Sequence, residues 1–168
     1  MVLVLSGPPK AGKSRLRGDI QGLLRKQPQR RWFIQVASPD GEGAWVNDLV
    51  EAGRGEEAQA LARRNKEAVK AAGEFFSPAF TNRMRFMIEG LVRSGMTNPL
   101  VVDLGGIPSP QNREILSPVL GREDLVPVVL LREGYDGGWG SFWLALGHRP
   151  EVVNYEAGLA ARLLGLEG

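Results

Sequence analysis

Cysteine is absent from the chain. That removes disulfides, thiolate metal sites and cysteine nucleophiles together, and agrees with a reducing compartment. Histidine is nearly absent: His148 is the single one, so no imidazole cluster can hold a metal, and a Ser-His-Asp triad would have to use that residue. Its setting, Gly147-His148-Arg149-Pro150, reads as a helix end whose last carbonyls the histidine caps. No apolar run reaches the length of a membrane span. The opening Met1-Val2-Leu3-Val4-Leu5 is apolar, but it carries no basic leader and enters a glycine loop directly, so it reads as a buried strand and not as a secretion signal. These absences predict a cytoplasmic protein with no membrane partner. Acids are scarce between Lys10 and Arg31, where eight basic residues face Asp19 alone. Such a stretch attracts phosphate or nucleic acid. No aromatic residues are interleaved there, and Arg25, Lys26, Arg30 and Arg31 read as a solvated helix face and a charged turn.

What is present is ordinary in bulk. The 168 residues are 43% hydrophobic and 24% charged with a net charge of +2, which suits a single domain over 1–168 with a continuous core. A short, continuously apolar run predicts a strand buried on both faces at Val2 to Ser6, and further strands are read at Trp32 to Ala37, Pro99 to Leu104, Leu125 to Leu131 and Glu151 to Asn154. Helical spacing intervenes. Leu16, Ile20, Leu23 and Leu24 mark a first helix, whose Gly18 and Gly22 suggest close packing on a sheet. Further helices are predicted from Ala44 to about Lys70, through Phe80, Met84, Met87, Ile88 and Leu91 with Ser77 or Thr81 as its cap, around Trp139 to Leu146, and over Glu156 to Leu164. Ser38-Pro39-Asp40-Gly41 is a turn. Alternating strands and helices imply a mainly parallel five-stranded sheet with helices on both faces, a three-layer α/β fold.

The first turn carries chemistry. Gly7-Pro8-Pro9-Lys10-Ala11-Gly12-Lys13-Ser14 fits G-x-x-x-x-G-K-[ST] between a predicted strand and a predicted helix, the pattern of a P-loop NTPase fold. The two glycines let successive N–H groups turn inward onto phosphate oxygens, and the helix adds the positive end of its dipole. Lys13 is expected to reach the β- and γ-phosphates and Ser14 to ligate magnesium, with Arg15 following at the same edge. The expected ligands are ATP and Mg2+. Asp103, at the end of an apolar strand, is the candidate second metal ligand, with a plain strand-end turn as the alternative.

The residues after Asp103 bear on reaction class. Leu104, Gly105 and Gly106 follow it, so no carboxylate stands next to it to activate water. Asp103-Leu104-Gly105-Gly106 also fits the short D-x-x-G switch of GTPases, but no Asn-Lys-x-Asp motif reads guanine. The arrangement favours kinase-like phosphoryl transfer. Asp40 and Glu42, beside Gly41 and Gly43, read equally as an acceptor-holding or general-base pair and as a charged turn, and Trp45 is near enough to pack on them or stack on a base. Arg83, Arg85 and Arg132 are candidate phosphate contacts, although helical arginines are more often solvated or ion-paired. Trp139, Phe142 and Trp143 read as a core face, and Tyr135-Asp136-Gly137-Gly138 as a lid over the nucleotide.

Four segments in order carry a resemblance: Gly7 to Ser14, Ser38-Pro39-Asp40-Gly41-Glu42-Gly43-Ala44-Trp45, Ser77-Pro78-Ala79-Phe80, and Asp103-Leu104-Gly105-Gly106-Ile107-Pro108-Ser109-Pro110-Gln111-Asn112. Together with Trp143 to Gly147 they cover most of the chain. The sequence resembles the P-loop ATPase-like domain fused to the small CRISPR-associated ring nuclease of type III systems. That resemblance implies nucleotide binding at Lys13, Ser14 and Asp103, a functional role for Asp40 and Glu42, a link to antiviral defence, and a CRISPR-associated protein partner. It implies no nuclease activity for these residues. Asn112 lies in the matched segment, where Pro108 and Pro110 also suit a rigid loop. Two functions stay open: Mg-ATP-dependent phosphoryl transfer to a nucleotide, oligonucleotide or small acceptor, and an NTP-dependent switch with slow or no hydrolysis.

Overall fold

The structure is a computed structural model and describes residues 1–37 and 78–166. The predicted helix from Ala44 to Lys70, the turn at 38–41, Ser77, and the candidates Asp40, Glu42 and Trp45 lie outside the described residues.

Five strands form one parallel sheet: β1 (Val2–Ser6), β2 (Phe33–Ala37), β3 (Leu100–Leu104), β4 (Leu125–Leu131) and β5 (Glu151–Asn154), in the order β2-β3-β1-β4-β5. Of the three inner strands, β1 and β3 are buried along their whole length, while the edge strands β2 and β5 alternate in exposure. Pro127 in β4 pairs across from Val4 of β1, and pairing with β5 begins only at Val128, so the missing N–H falls beyond the end of the neighbouring strand.

Five helices are described: α1 (Lys13–Leu24), α2 (Pro78–Arg93), α3 (Pro110–Leu116), α4 (Trp139–Ala145) and α5 (Leu159–Leu163). Right-handed crossovers dictate their faces. The chain leaves β1 toward the β2 edge, and every later crossover runs in the opposite direction, so α1 must lie on one face and α2, α3 and α4 on the other. The core divides accordingly. Leu16, Ile20 and Leu24 of α1 and Leu159 and Ala160 of α5 pack on Leu3, Leu5, Val101, Val128 and Leu130. Phe80, Met84 and Ile88 of α2, Ile115 and Leu116 of α3, and Trp139 and Trp143 of α4 pack on Val2, Val4, Val102 and Val129.

Several local expectations change. Gly18 and Gly22 lie on the exposed side of α1 with open space where a Cβ would stand, because the buried stripe is Leu16, Ile20 and Leu24 at four-residue spacing. Thr81 does not cap α2: Pro78 opens the helix three residues earlier, and Thr81 is buried within it. The segment read as a rigid proline loop contains α3. Ser109 and Asn112 form a capping box at its start, with Pro110 at the first helical position. The last helix starts at Leu159, after Gly158 at φ 91°. Among the described residues no helix is long and apolar enough to cross a membrane.

Candidate functional site

The outgoing chain of β1 goes to the opposite face from those of its neighbours β3 and β4, and such a divergence leaves a crevice at the carboxyl end of the strand. The loop from Gly7 to Gly12 fills that position. Its path needs three positive φ angles, at Gly7 (146°), Lys10 (64°) and Gly12 (102°). Close packing explains the glycines further. A Cβ on Gly7 would stand 2.6 Å from the Leu130 carbonyl oxygen, and one on Gly12 would stand 2.9 Å from the Cβ of Tyr155. Neighbouring loops are fitted to the prolines in the same way: a Cβ on Gly106 would meet the Pro9 ring at 2.8 Å, and one on Gly137 would meet Pro8 at 3.0 Å.

The loop delivers the chain into α1 with Gly12 as N-cap, no side-chain cap and no acid in the first turn. The first-turn N–H groups therefore point out of the helix with no side-chain oxygen of the cap on them, as an anion site requires. Lys13 folds back over the loop, its Nζ donating to the Gly7 carbonyl at 2.8 Å. Ser14 and Arg15 are exposed on the same turn, as are Pro9 and Lys10 of the loop, whereas Pro8 and Ala11 are buried. The guanidinium of Arg15 lies 4.7 Å from the centre of the Tyr155 ring. Tyr155 donates its hydroxyl hydrogen to Asp19 at 2.7 Å.

Asp103 lies on the strand next to the loop, in register with Leu5 of β1. Strand alternation turns its side chain to the α1 face, opposite Val102 and Leu104. The carboxylate is buried and meets Arg17 of α1, Nη1 to Oδ2 at 2.5 Å. Two hard oxygen donors, the Ser14 hydroxyl and the Asp103 carboxylate, thus stand on the elements flanking the crevice. That donor set suits a magnesium ion completed by phosphate oxygens and water. Among the described residues no group of three or more acidic or imidazole side chains could hold a metal unaided.

Two tryptophans brace this end of the sheet. Trp143 donates its indole N–H to Ser6 Oγ at 3.0 Å, and Ser6 donates to the Val128 carbonyl at 2.6 Å. Trp139 donates to the Gly106 carbonyl at 3.2 Å. Both rings are fully buried, as the core reading expects, and their polar edges hold the strand end and the Asp103 loop. The segment read as a lid follows a tight turn that is closed by paired hydrogen bonds between Arg132 and Tyr135; within it Asp136 accepts from the Gly138 N–H, and Gly137 lies against Pro8. Asn112, fully buried, accepts from the backbone N–H and hydroxyl of Ser109, so it holds the loop before α3. The His148 ring bonds the Leu120 carbonyl at 3.0 Å, and only its backbone N–H closes α4.

The remaining basic candidates scatter. Arg85 lines a separate groove of about 310 Å³ with Glu89, Val92, Arg93, Ser117 and Pro118, none of them in the glycine loop. Arg132 is exposed in the tight turn, and Arg83 is exposed on α2. Arg31 donates to the Ser94 carbonyl, in keeping with a structural role for the basic turn. Arg17 was the residue that sequence reasoning missed. Its nearness to Lys13, one helical turn on and on the same face, was legible, but its pairing with Asp103 was not.

No family model matches the chain, and no curated protein matches it. Among solved structures, one described as "Crystal structure of APE1195" is similar with a TM-score of 0.47 at 16% identity, over 99% of this chain and 93% of that one. A likeness of that degree carries no argument about function.

Proposed function

We propose that the chain binds a magnesium–nucleoside triphosphate, with ATP as the expected form, on the loop Gly7–Ser14. It is a P-loop protein that transfers a phosphoryl group to a nucleotide-like or small acceptor. The observation that carries this reading is the arrangement at the loop's end: α1 begins without a side-chain cap, and Lys13 lies folded across the loop onto Gly7. A triphosphate entering there exchanges the Gly7 contact of Lys13 for its own oxygens and receives the amides of the first turn. Ser14 and Asp103 would hold the magnesium ion, which would supply charge neutralisation at the phosphates. Asp40 and Glu42 are proposed to hold the acceptor.

A second reading is a switch that binds the triphosphate and hydrolyses it slowly or not at all. It rests on the sequence resemblance, since the absence of a carboxylate directly after Asp103 speaks for transfer. The sequence resemblance would put such a switch beside a CRISPR-associated partner.

Calorimetry with Mg-ATP tests the common premise. Lys13→Ala is expected to weaken binding by about 1.5–3 kcal/mol, the loss of a charge-assisted contact. Equal affinity in the two proteins would remove the phosphate-binding reading. Mass spectrometry of candidate acceptors after incubation separates transferase from switch.

A further inference from the structure

The Asp103 carboxylate is asked to serve two cations. Its side chain is 4% exposed on an inner strand, and a carboxylate so placed needs a counter-charge. Arg17 supplies it in this structure, at 2.5 Å on Oδ2. The same carboxylate is the strand-borne magnesium ligand of the reading above, on which this inference rests.

A guanidinium and a divalent ion on one buried carboxylate would repel each other across a few ångströms in a medium of low dielectric. One of the three groups has to yield. Asp103 is fixed, since β3 is paired on both sides and buried throughout. Arg17 is the partner that can leave: its side chain is 31% exposed, on a long stem rooted in a surface helix. Its position one turn beyond Lys13 gives it a path along α1 toward solvent and toward the phosphate end of the loop.

We infer that Arg17 is the resident counter-cation of Asp103 and that magnesium binds by exchange with it. In the ligand-free protein the guanidinium holds the carboxylate, so a divalent cation alone binds weakly. A triphosphate on the loop changes the balance, because its oxygens attract the metal and offer the displaced guanidinium a new partner. Metal and triphosphate therefore bind with positive coupling, and Arg17 sets its size. By reciprocity, each ligand raises the affinity of the other by the same factor.

Mn2+ replaces magnesium in the test, and the loss of its free-ion electron paramagnetic resonance signal reports binding without any turnover. Wild type, Arg17→Gln, Asp103→Asn and the double variant are titrated with and without a non-hydrolysable ATP analogue. Arg17→Gln should bind Mn2+ roughly tenfold more tightly, or better, without nucleotide, the worth of one charge-assisted contact. Its coupling to the analogue should shrink correspondingly. The double variant should lose the gain, since the carboxylate that profits from the vacated position is gone. Unchanged Mn2+ affinity in a folded Arg17→Gln protein would overturn the exchange, as would an equal gain in the double variant. If Arg17→Gln does not fold, Arg17→Lys takes its place. The shorter reach and single-point charge of lysine loosen the pair, so Mn2+ binding should again tighten, and no change would overturn the proposal. The outcome is separable from that of the parent reading. Loss of triphosphate binding in Lys13→Ala with no effect of Arg17→Gln keeps the loop assignment and removes only the exchange.

Discussion

Asp103 and Tyr155 show how single side chains near the loop are tuned by partners far away in sequence. Asp103 is 86 residues from Arg17, and Tyr155 is 136 residues from Asp19. For Asp103 the consequence is in metal chemistry. Asp103→Asn keeps the shape of the side chain but not its charge, so triphosphate binding without magnesium should persist while the increment added by magnesium disappears. Calorimetry with and without the metal reads both quantities, and a full magnesium increment in the variant would move the metal elsewhere. For Tyr155 the consequence is a titration. The hydrogen bond to Asp19 raises its phenol pKa above the ordinary value, burial adds to the rise, and Arg15 opposes it. The chain has two tyrosines, so Tyr135→Phe isolates Tyr155 for an ultraviolet absorbance titration. Its midpoint should lie above about 10, and Asp19→Asn should bring it down. A midpoint indifferent to Asp19 would mean that the contact does not persist in solution.

Among the elements, the glycines separate into two kinds that the sequence alone does not distinguish. Gly106 is shaped by the loop beneath it, and an added Cβ would press on the rigid Pro9 ring at 2.8 Å and on its backbone nitrogen at 3.1 Å. Gly106→Ala should therefore cost about 1–3 kcal/mol of stability, as overpacking does, and weaken triphosphate binding by displacing Pro9. Gly18 on α1 faces open space, and Gly18→Ala should gain about 0.5–1 kcal/mol from helix propensity. Urea unfolding of the two variants should move in opposite directions, and a neutral Gly106→Ala would deny the tight fit. Legibility differed by element for physical reasons. Short β-branched and apolar stretches bounded by polar or turn residues are local signals, so β1, β4 and β5 were read with the bounds they have, and β2 and β3 to within one residue. Short helices depend on their caps more than on a stripe. Ser109-Pro110-Gln111-Asn112 is a helix start, yet two prolines made it read as a loop, and α3 was missed. Gly158 similarly moved α5 to Leu159.

For the whole molecule, the alternation of elements announced a parallel sheet but not its order, which depends on which strand crosses which. The order β2-β3-β1-β4-β5 sets Asp103 directly beside the loop strand and turns it toward α1, and no local pattern near Val102 or Leu104 contains that fact. Arg17 was illegible as its partner for the same reason, whereas Lys13 and Ser14 were legible because strand, loop and helix are contiguous in sequence. The topology also leaves the crevice at the carboxyl end of β1, under the braces from Trp139 and Trp143, as the position where a phosphate chain would meet both faces of the sheet. The central claim is that backbone amides of this loop cradle the triphosphate. At 18.3 kDa the protein suits residue-resolved amide nuclear magnetic resonance. Titration with magnesium and a non-hydrolysable ATP analogue should give its largest shifts at Gly7 and at Lys10 through Ser14. Shifts that spare those amides, or none at saturating analogue, would contradict the account.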